Sequence, residues 1–149
     1  MSFSVYINSN IVSSNPSNAT YMFNWAAASQ GYTGKYKLTF KFQSKIIGTI
    51  SATNSLKMLC ISGLGSGNQC FAVNSTGSFD STTCIGFLNM NNAQNAYCTI
   101  PDDNPPVILN SLPSSNQFQI TIINDTGSID TYINTVDYLL ILFFEKYEE

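Results

Sequence analysis

The chain has 149 residues, of which 44% are hydrophobic and only 10% are charged, with a net charge of −3. It contains no His, which excludes nucleophilic catalysis through a Ser–His or Cys–His pair. It also contains no Arg, so bidentate reading of guanine or phosphate is absent and sequence-specific nucleic-acid binding is not expected. Most of the other residues are neutral and polar. Such a composition suits a surface that packs against neighbouring molecules better than a surface that charge keeps apart from them.

The length predicts a single domain over residues 1–149, long enough to bury about 68–70% of its unfolded surface. The first residues have neither the basic start nor the apolar centre of a signal peptide. The longest apolar run, residues 138–144, is far below the ~20 residues that span a bilayer. We therefore expect a protein made in the cytosol, with no transmembrane segment.

The first predicted strands are residues 3–7 and 20–25, although Ala26-Ala-Ala28 could add one helical turn to the second. The clearest alternation follows, in residues 35–42, where Lys and Thr alternate with Tyr, Leu and Phe. This pattern predicts a half-solvated antiparallel strand. It explains the lysine cluster between Lys35 and Lys57 as a solvent-facing row without any ligand. Because lysines discourage edge-to-edge pairing, the same face could equally protect an edge.

Six further short strands are predicted between turn-forming segments rich in Gly, Ser, Asn and Pro: residues 45–50, 56–62, 70–73, 83–88, 96–100 and 118–123. The last strand, residues 138–144, is apolar at every position. Such a run predicts a strand that is buried on both faces and inserted among strands made earlier in the chain.

About eight to ten short strands without a long helix predict an all-β sandwich or barrel. The length and the apolar last strand favour a single jelly-roll β-sandwich with two antiparallel sheets of about four strands. The final strand would then pair with strands far away in sequence.

The four cysteines permit two disulfides in three connectivities: Cys60, Cys70, Cys84 and Cys98. None forms a Cys-x-x-Cys motif, and there is no His to complete a zinc site. We expect four reduced, mostly buried thiols that act as small hydrophobic residues.

No catalytic, cofactor-binding or metal-binding residue is predicted. Paired carboxylates could serve glycoside hydrolysis, and some of them could join in a calcium site. The five candidates all lie in predicted turns, where Asp caps its own backbone: Asp102, Asp103, Asp125, Asp130 and Asp137. The Gly-rich segment 63–67 lacks the dinucleotide-binding spacing and is expected to be a plain turn. We therefore expect no enzyme activity and no cofactor.

Aromatic residues make up 13% of the chain. Four tyrosines could stack on sugars or unpaired bases if they are exposed: Tyr6, Tyr32, Tyr97 and Tyr132. Most other aromatic residues alternate with polar ones and are expected in the core, and Trp25 is expected in the core or at an interface.

Three passages resemble the small single-jelly-roll capsid proteins of large icosahedral DNA viruses. They are the opening, Val5-Tyr-Ile-Asn-Ser-Asn10 with residues 18–23 (Asn-Ala-Thr-Tyr-Met-Phe); the segment 112–127, which leads into an Asp/Gly turn; and the closing residues 137–145. They cover about a third of the chain. Openings of this kind often continue with Arg where this chain has Asn10, so contacts that relatives make through arginine are not expected.

The resemblance implies a structural virion protein, a penton or minor capsid subunit, with the vertex position favoured over an interstitial one. Its implied partners are copies of itself in a homopentamer or other homo-oligomer, the major capsid protein and other minor capsid proteins. Its implied location is the capsid, assembled in the host cytoplasm. The alternative is a carbohydrate-binding β-sandwich, such as a fibre tip or lectin-like module, with calcium at Asp102 and Asp103.

Overall fold

The computed structural model describes eight stretches of the chain, residues 2–9, 17–45, 56–64, 83–89, 97–99, 104–124, 128–130 and 138–148. Nine strands lie in these stretches: β1 (Phe3–Asn8), β2 (Asn18–Met22), β3 (Tyr36–Lys45), β4 (Leu56–Ser62), β5 (Thr83–Asn89), β6 (Tyr97–Thr99), β7 (Val107–Leu109), β8 (Gln117–Asn124) and β9 (Tyr138–Lys146). A single short helix, α1 (Trp25–Ser29), interrupts the strands of the described region.

The strands form two antiparallel sheets, as the sequence predicts for a β-sandwich. The first sheet has the order β1-β9-β3, and the far side of β3 is shared by two short strands, β6 and β7. The second sheet has the order β2-β8-β4-β5. Buried side chains from both sheets form one hydrophobic cluster, and burial of each large apolar side chain stabilises the fold by about 1.5–3 kcal/mol.

The last strand, β9, lies in the interior of the first sheet, between β1 and β3, which confirms its predicted position. Its inner residues are buried: Tyr138, Leu140, Leu142 and Phe144. Its outer residues are only half-buried: Leu139, Ile141 and Phe143. The prediction of burial on both faces is therefore wrong for this chain alone, because nothing in the described region lies over the outer face of β9 as a second sheet lies over the inner one.

The alternation predicted for residues 35–42 is confirmed in β3, whose inner row is buried: Tyr36, Leu38, Phe40 and Phe42. Thr39 and Lys41 are exposed on the outer face. The alternative that this strand protects an edge is wrong, because β9 pairs along one side of β3 while β6 and β7 pair along the other.

The second predicted strand ends earlier than expected, at Met22, and the predicted helical turn begins at Trp25. The side chain of Asn24 caps α1 by accepting a hydrogen bond from the Ala27 backbone N–H at 3.1 Å. Gln30 ends the helix in the left-handed conformation, with φ of 52°. The turn places Trp25 in the core, where it is 2% exposed.

The sequence prediction missed β7. Pro105 and Pro106 suggest a turn, and three residues are too few for an alternating pattern to be recognised. Val107 and Leu109 are nevertheless buried, and β7 pairs with Tyr36–Leu38 of β3. The other strands of the described region lie within two or three residues of their predicted bounds. The predicted strand 70–73 lies outside that region, as does the predicted strand 45–50 except for Lys45, which is the last residue of β3.

Candidate functional site

An apolar ridge runs along the outer face of the first sheet. It consists of Leu139, Ile141 and Phe143 of β9, which are half-buried, and Tyr6 of β1, which is 69% exposed. Tyr6 lies directly opposite Ile141, so the two side chains project from the same face. An antiparallel sheet that faces water usually presents polar residues there, and contiguous exposed apolar residues are typical of interaction surfaces.

Polar residues surround the apolar ridge. Those directly opposite its members on the neighbouring strands are Ser4, Asn8, Thr39, Lys41 and Gln43. Beyond Phe143, Lys37 Nζ and Glu145 Oε2 form a partly exposed ion pair at 3.4 Å, a contact of the kind that contributes about 0–1 kcal/mol. An apolar centre with a polar rim is the usual arrangement of a protein–protein interface.

The outer face of the second sheet carries another apolar set, which we call the Met58 row: Met58, Phe87, Ile123 and Ile129. Met58 of β4 lies opposite Phe87 of β5 on one side and Ile123 of β8 on the other. An isolated bridge joins Ile123 to Ile129, and Phe87 and Ile129 are 42% and 46% exposed. Both outer faces of the sandwich therefore present apolar side chains.

Lys57 and Asp130 form a buried ion pair that the sequence did not predict. Lys57 Nζ donates to Asp130 Oδ1 at 2.6 Å, and the two side chains are 0% and 1% exposed. The prediction that Lys57 belongs to a solvent-facing cluster is therefore wrong, and Asp130, predicted to lie in a turn, is buried in the segment that follows β8. Their register explains this, since Lys57 lies in line with Leu59 on the inner face of β4, where a buried ammonium requires a partner.

Backbone contacts hold Asp130 in this position. Its N–H donates to Ile122 O at 2.8 Å, and its carbonyl oxygen accepts from Ser17 Oγ at 2.6 Å. The carboxylate is thus neutralised by Lys57 and shielded from solvent, so it is not placed to act on a substrate. Its role is to join the segment after β8 to the ends of β2 and β4.

The remaining candidate carboxylates lie outside the described residues: Asp102, Asp103, Asp125 and Asp137. Within the described stretches, no three His, Cys, Asp or Glu side chains are grouped so that they could hold a metal ion. Gly63 begins the predicted Gly-rich turn with φ of 85°, a conformation that favours glycine, and residues 65–67 are not among those described.

Of the four tyrosines considered for stacking, Tyr6 is exposed as expected, whereas Tyr32 is half-buried. The Tyr32 ring packs edge-on against Tyr36 with a centroid distance of 5.1 Å, and its hydroxyl donates to Lys35 O at 3.2 Å. The side chain of Tyr97 and the whole of Tyr132 lie outside the described part of the chain.

Cys60 and Cys84 are not joined in a disulfide, and Cys60 is completely buried as predicted, while Cys84 is half-buried. No pattern in the sequence indicates that the two lie directly opposite each other on β4 and β5. They are separated along the chain, and only the pairing of the strands brings them together. The side chains of Cys70 and Cys98 are not among those described.

None of the described helices is long and apolar enough to cross a membrane. No protein-family profile matches this chain. No curated protein is significantly similar to it in sequence. The function is therefore argued from the surfaces and the chemistry described above.

Proposed function

We propose that this protein is a structural virion subunit, a penton or minor capsid protein that builds and seals an icosahedral shell through subunit–subunit contacts. The observation that carries the proposal is the apolar ridge with its polar rim on the outer face of the first sheet. The resemblance of the chain's opening and closing segments to small single-jelly-roll capsid proteins supports the same assignment.

The strand order supports a jelly-roll topology. In the first sheet the first strand lies beside the last, β1 beside β9, and in the second sheet the next pair inwards, β2 and β8, are neighbours. β4 then follows β8, as β3 follows β9. This nested pairing is expected when a chain wraps around a two-sheet sandwich in the manner of a jelly roll.

The two outer faces support assembly of identical copies. The apolar ridge and the Met58 row lie on opposite faces and differ in their residues, so contact between them would be heterologous. Heterologous contacts build rings when the rotation between subunits closes. A ring is the form required at a capsid vertex, and we therefore favour the penton position over an interstitial one.

The surface composition supports the same role. Only 10% of the chain is charged, so copies would meet with little repulsion, and neutral polar residues would supply hydrogen bonds around each apolar centre. The proposed partners are copies of this chain, followed by the major capsid protein and other minor capsid proteins. The proposed location is the capsid, assembled in the host cytoplasm.

Mass photometry and cryo-electron microscopy of the purified protein test this function. We expect a ring of five subunits, or density for this chain at the vertices of purified particles. A strict monomer that binds to glycan arrays would contradict the proposal and favour the alternative, a carbohydrate-binding β-sandwich.

A further inference from the structure

We propose that Cys60 and Cys84 form a redox-modification site, in which the two thiols are converted reversibly to an intramolecular cross-strand disulfide. The site lies on the outer face of the second sheet, between the interior strand β4 and the edge strand β5. The inference does not depend on the proposed role in a capsid.

A β-bulge creates the site. Leu59 lies opposite Gly86, but the next residue of β4, Cys60, lies opposite Cys84 rather than Ile85. The extra residue, Ile85, is buried in the core at 3% exposure. If the register continued without the bulge, Cys60 would lie opposite Ile85, and Cys84 would lie opposite Ile61, whose side chain belongs to the inner face. The bulge therefore turns Cys84 to the same face as Cys60.

The separation of the two residues suits a disulfide. Directly opposed residues of an antiparallel pair have Cα atoms about 4.5–5.5 Å apart, and disulfides join Cα atoms about 4.4–6.8 Å apart. The side chain of Cys60 is also the largest influence on the pKa of Cys84, which it lowers, as expected for two neighbouring thiols. Bond formation thus needs rotation of two side chains rather than movement of the strands.

The two thiols differ in a way that defines their roles. Cys84 is half-buried, whereas Cys60 has no exposed surface. The hydrogen bond from Cys60 lowers the pKa of Cys84 to about 7, although burial opposes this shift. Because the thiolate is the nucleophile, Cys84 is the thiol that reacts first with a reagent from solvent, and Cys60 is the resolving thiol.

The reaction balances with a small-molecule disulfide, such as oxidised glutathione, as the oxidant. The Cys84 thiolate attacks one sulfur of the oxidant, forms a mixed disulfide and releases the first glutathione thiolate. The Cys60 thiol then loses its proton, and its sulfur attacks Cys84 Sγ and releases the second glutathione thiolate. In total, two protein thiols lose two electrons and two protons, and one oxidant molecule becomes two thiols.

The test uses the full chain with Cys70→Ser and Cys98→Ser, so that only the two proposed cysteines remain. After incubation with oxidised glutathione, we expect the intact mass to fall by two hydrogens without a retained adduct, and dithiothreitol to restore it. The thermal unfolding midpoint should rise on oxidation and return on reduction, because the bond constrains the unfolded chain.

Two single variants in this background separate the roles. Cys60→Ser should retain a glutathione adduct on Cys84, because the resolving thiol is missing, and Cys84→Ser should remain unmodified, because Cys60 is inaccessible. Circular dichroism checks that each variant is folded. The proposal is overturned if both thiols of the two-cysteine protein still react with maleimide in denaturant after oxidation, or if each retains its own adduct.

The unmodified sequence gives a second test that does not depend on any substitution. Its free thiols are blocked after oxidation, and the linked peptides are identified by mass spectrometry. A peptide joining Cys60 to Cys84 is expected. Linkage of either residue to Cys70 or Cys98 instead would contradict the proposed pair.

Discussion

Lys57 and Asp130 show how a single polar pair can hold three segments of this fold together. Removal of one partner from a buried ion pair leaves an uncompensated charge and typically costs about 3–5 kcal/mol. Replacement of both partners with apolar residues of similar size is often neutral or stabilising. Substitution of only one of the two residues should therefore destabilise the protein strongly, although the pair is not a catalytic site.

We expect Asp130→Ala to lower the free energy of unfolding by about 3–5 kcal/mol, because Lys57 stays buried without its carboxylate. Urea unfolding followed by tryptophan fluorescence measures the change. The matched control is the double variant Lys57→Met with Asp130→Leu, which should recover most of the loss. An Asp130→Ala protein as stable as the wild type would contradict the burial of this pair.

The buried tyrosine hydroxyls give a second prediction at this scale. Tyr36 OH is buried and has no hydrogen-bond partner in the described part of the chain, whereas Tyr138 OH lies 3.3 Å from Tyr21 OH. Burial is the main cause that raises the pKa of Tyr138, and its contact with Tyr21 raises it further. Both hydroxyls are thus protonated at neutral pH.

We expect Tyr36→Phe to leave the free energy of unfolding unchanged or to raise it by up to about 1 kcal/mol, since it removes an unsatisfied buried group. Tyr138→Phe should lower it by about 0.5–1.5 kcal/mol, since it breaks a buried hydrogen bond. Urea unfolding of the two variants side by side measures the contrast. If Tyr36→Phe proves the more destabilising of the two, its hydroxyl has a partner.

At the scale of elements, β5 approaches the first sheet more closely than a side chain would allow. A Cβ atom added to Gly86 would lie 2.5 Å from Phe40 Cε1 and 2.7 Å from Asn104 Oδ1. The same Asn104 amide accepts from Phe87 N–H at 2.8 Å and donates to Phe87 O at 3.0 Å. It thereby satisfies backbone groups at the open edge of β5, which would otherwise be available to another strand.

We expect Gly86→Ala to lower the free energy of unfolding by about 1–3 kcal/mol through overpacking against Phe40. Thermal unfolding measures the loss, and Phe40→Leu in the Gly86→Ala background should recover part of it by making room. If the loss of stability in the double variant equals the sum of the losses in the two single variants, the close approach of Gly86 to Phe40 is not the cause of the Gly86→Ala effect.

The sequence predicted those elements whose pattern is local. The alternation in β3 indicates which face meets the core, the apolar run in β9 indicates an interior strand, and both patterns are read from consecutive residues. The end of β2 was misjudged because Trp25 enters the core from a capped helical turn rather than from a strand. The strand β7 was missed because its three residues take their conformation from pairing with β3.

At the scale of the whole molecule, the apolar ridge and the Met58 row place two different apolar surfaces on opposite sides of the sandwich. Assembly through such surfaces should depend on a few large side chains near their centres. Tyr6 is the most exposed large residue of the apolar ridge. Met22, on the edge strand β2 of the other sheet, is 70% exposed and lies opposite Gln117, at the other end of β8 from the Met58 row.

We expect Tyr6→Ser to weaken self-association by about 10-fold or more, because truncation of a central interface tyrosine commonly costs more than about 1.4 kcal/mol. Met22→Ser removes an apolar side chain of equal exposure and should leave assembly unchanged. Mass photometry across a concentration series compares the two. Equal effects of both substitutions would argue against a specific contact through the apolar ridge.

The sequence by itself determined the class of this protein: a β-sandwich of short strands with a low charge and an interior last strand. These properties depend on composition and on alternation between neighbouring residues. Only the tertiary structure decided that Lys57 meets Asp130, that a bulge sets Cys84 opposite Cys60, and that the outer face of β9 is left half-covered. Each of these depends on the register between strands distant along the chain, and register is set by packing of the whole core rather than by any local pattern.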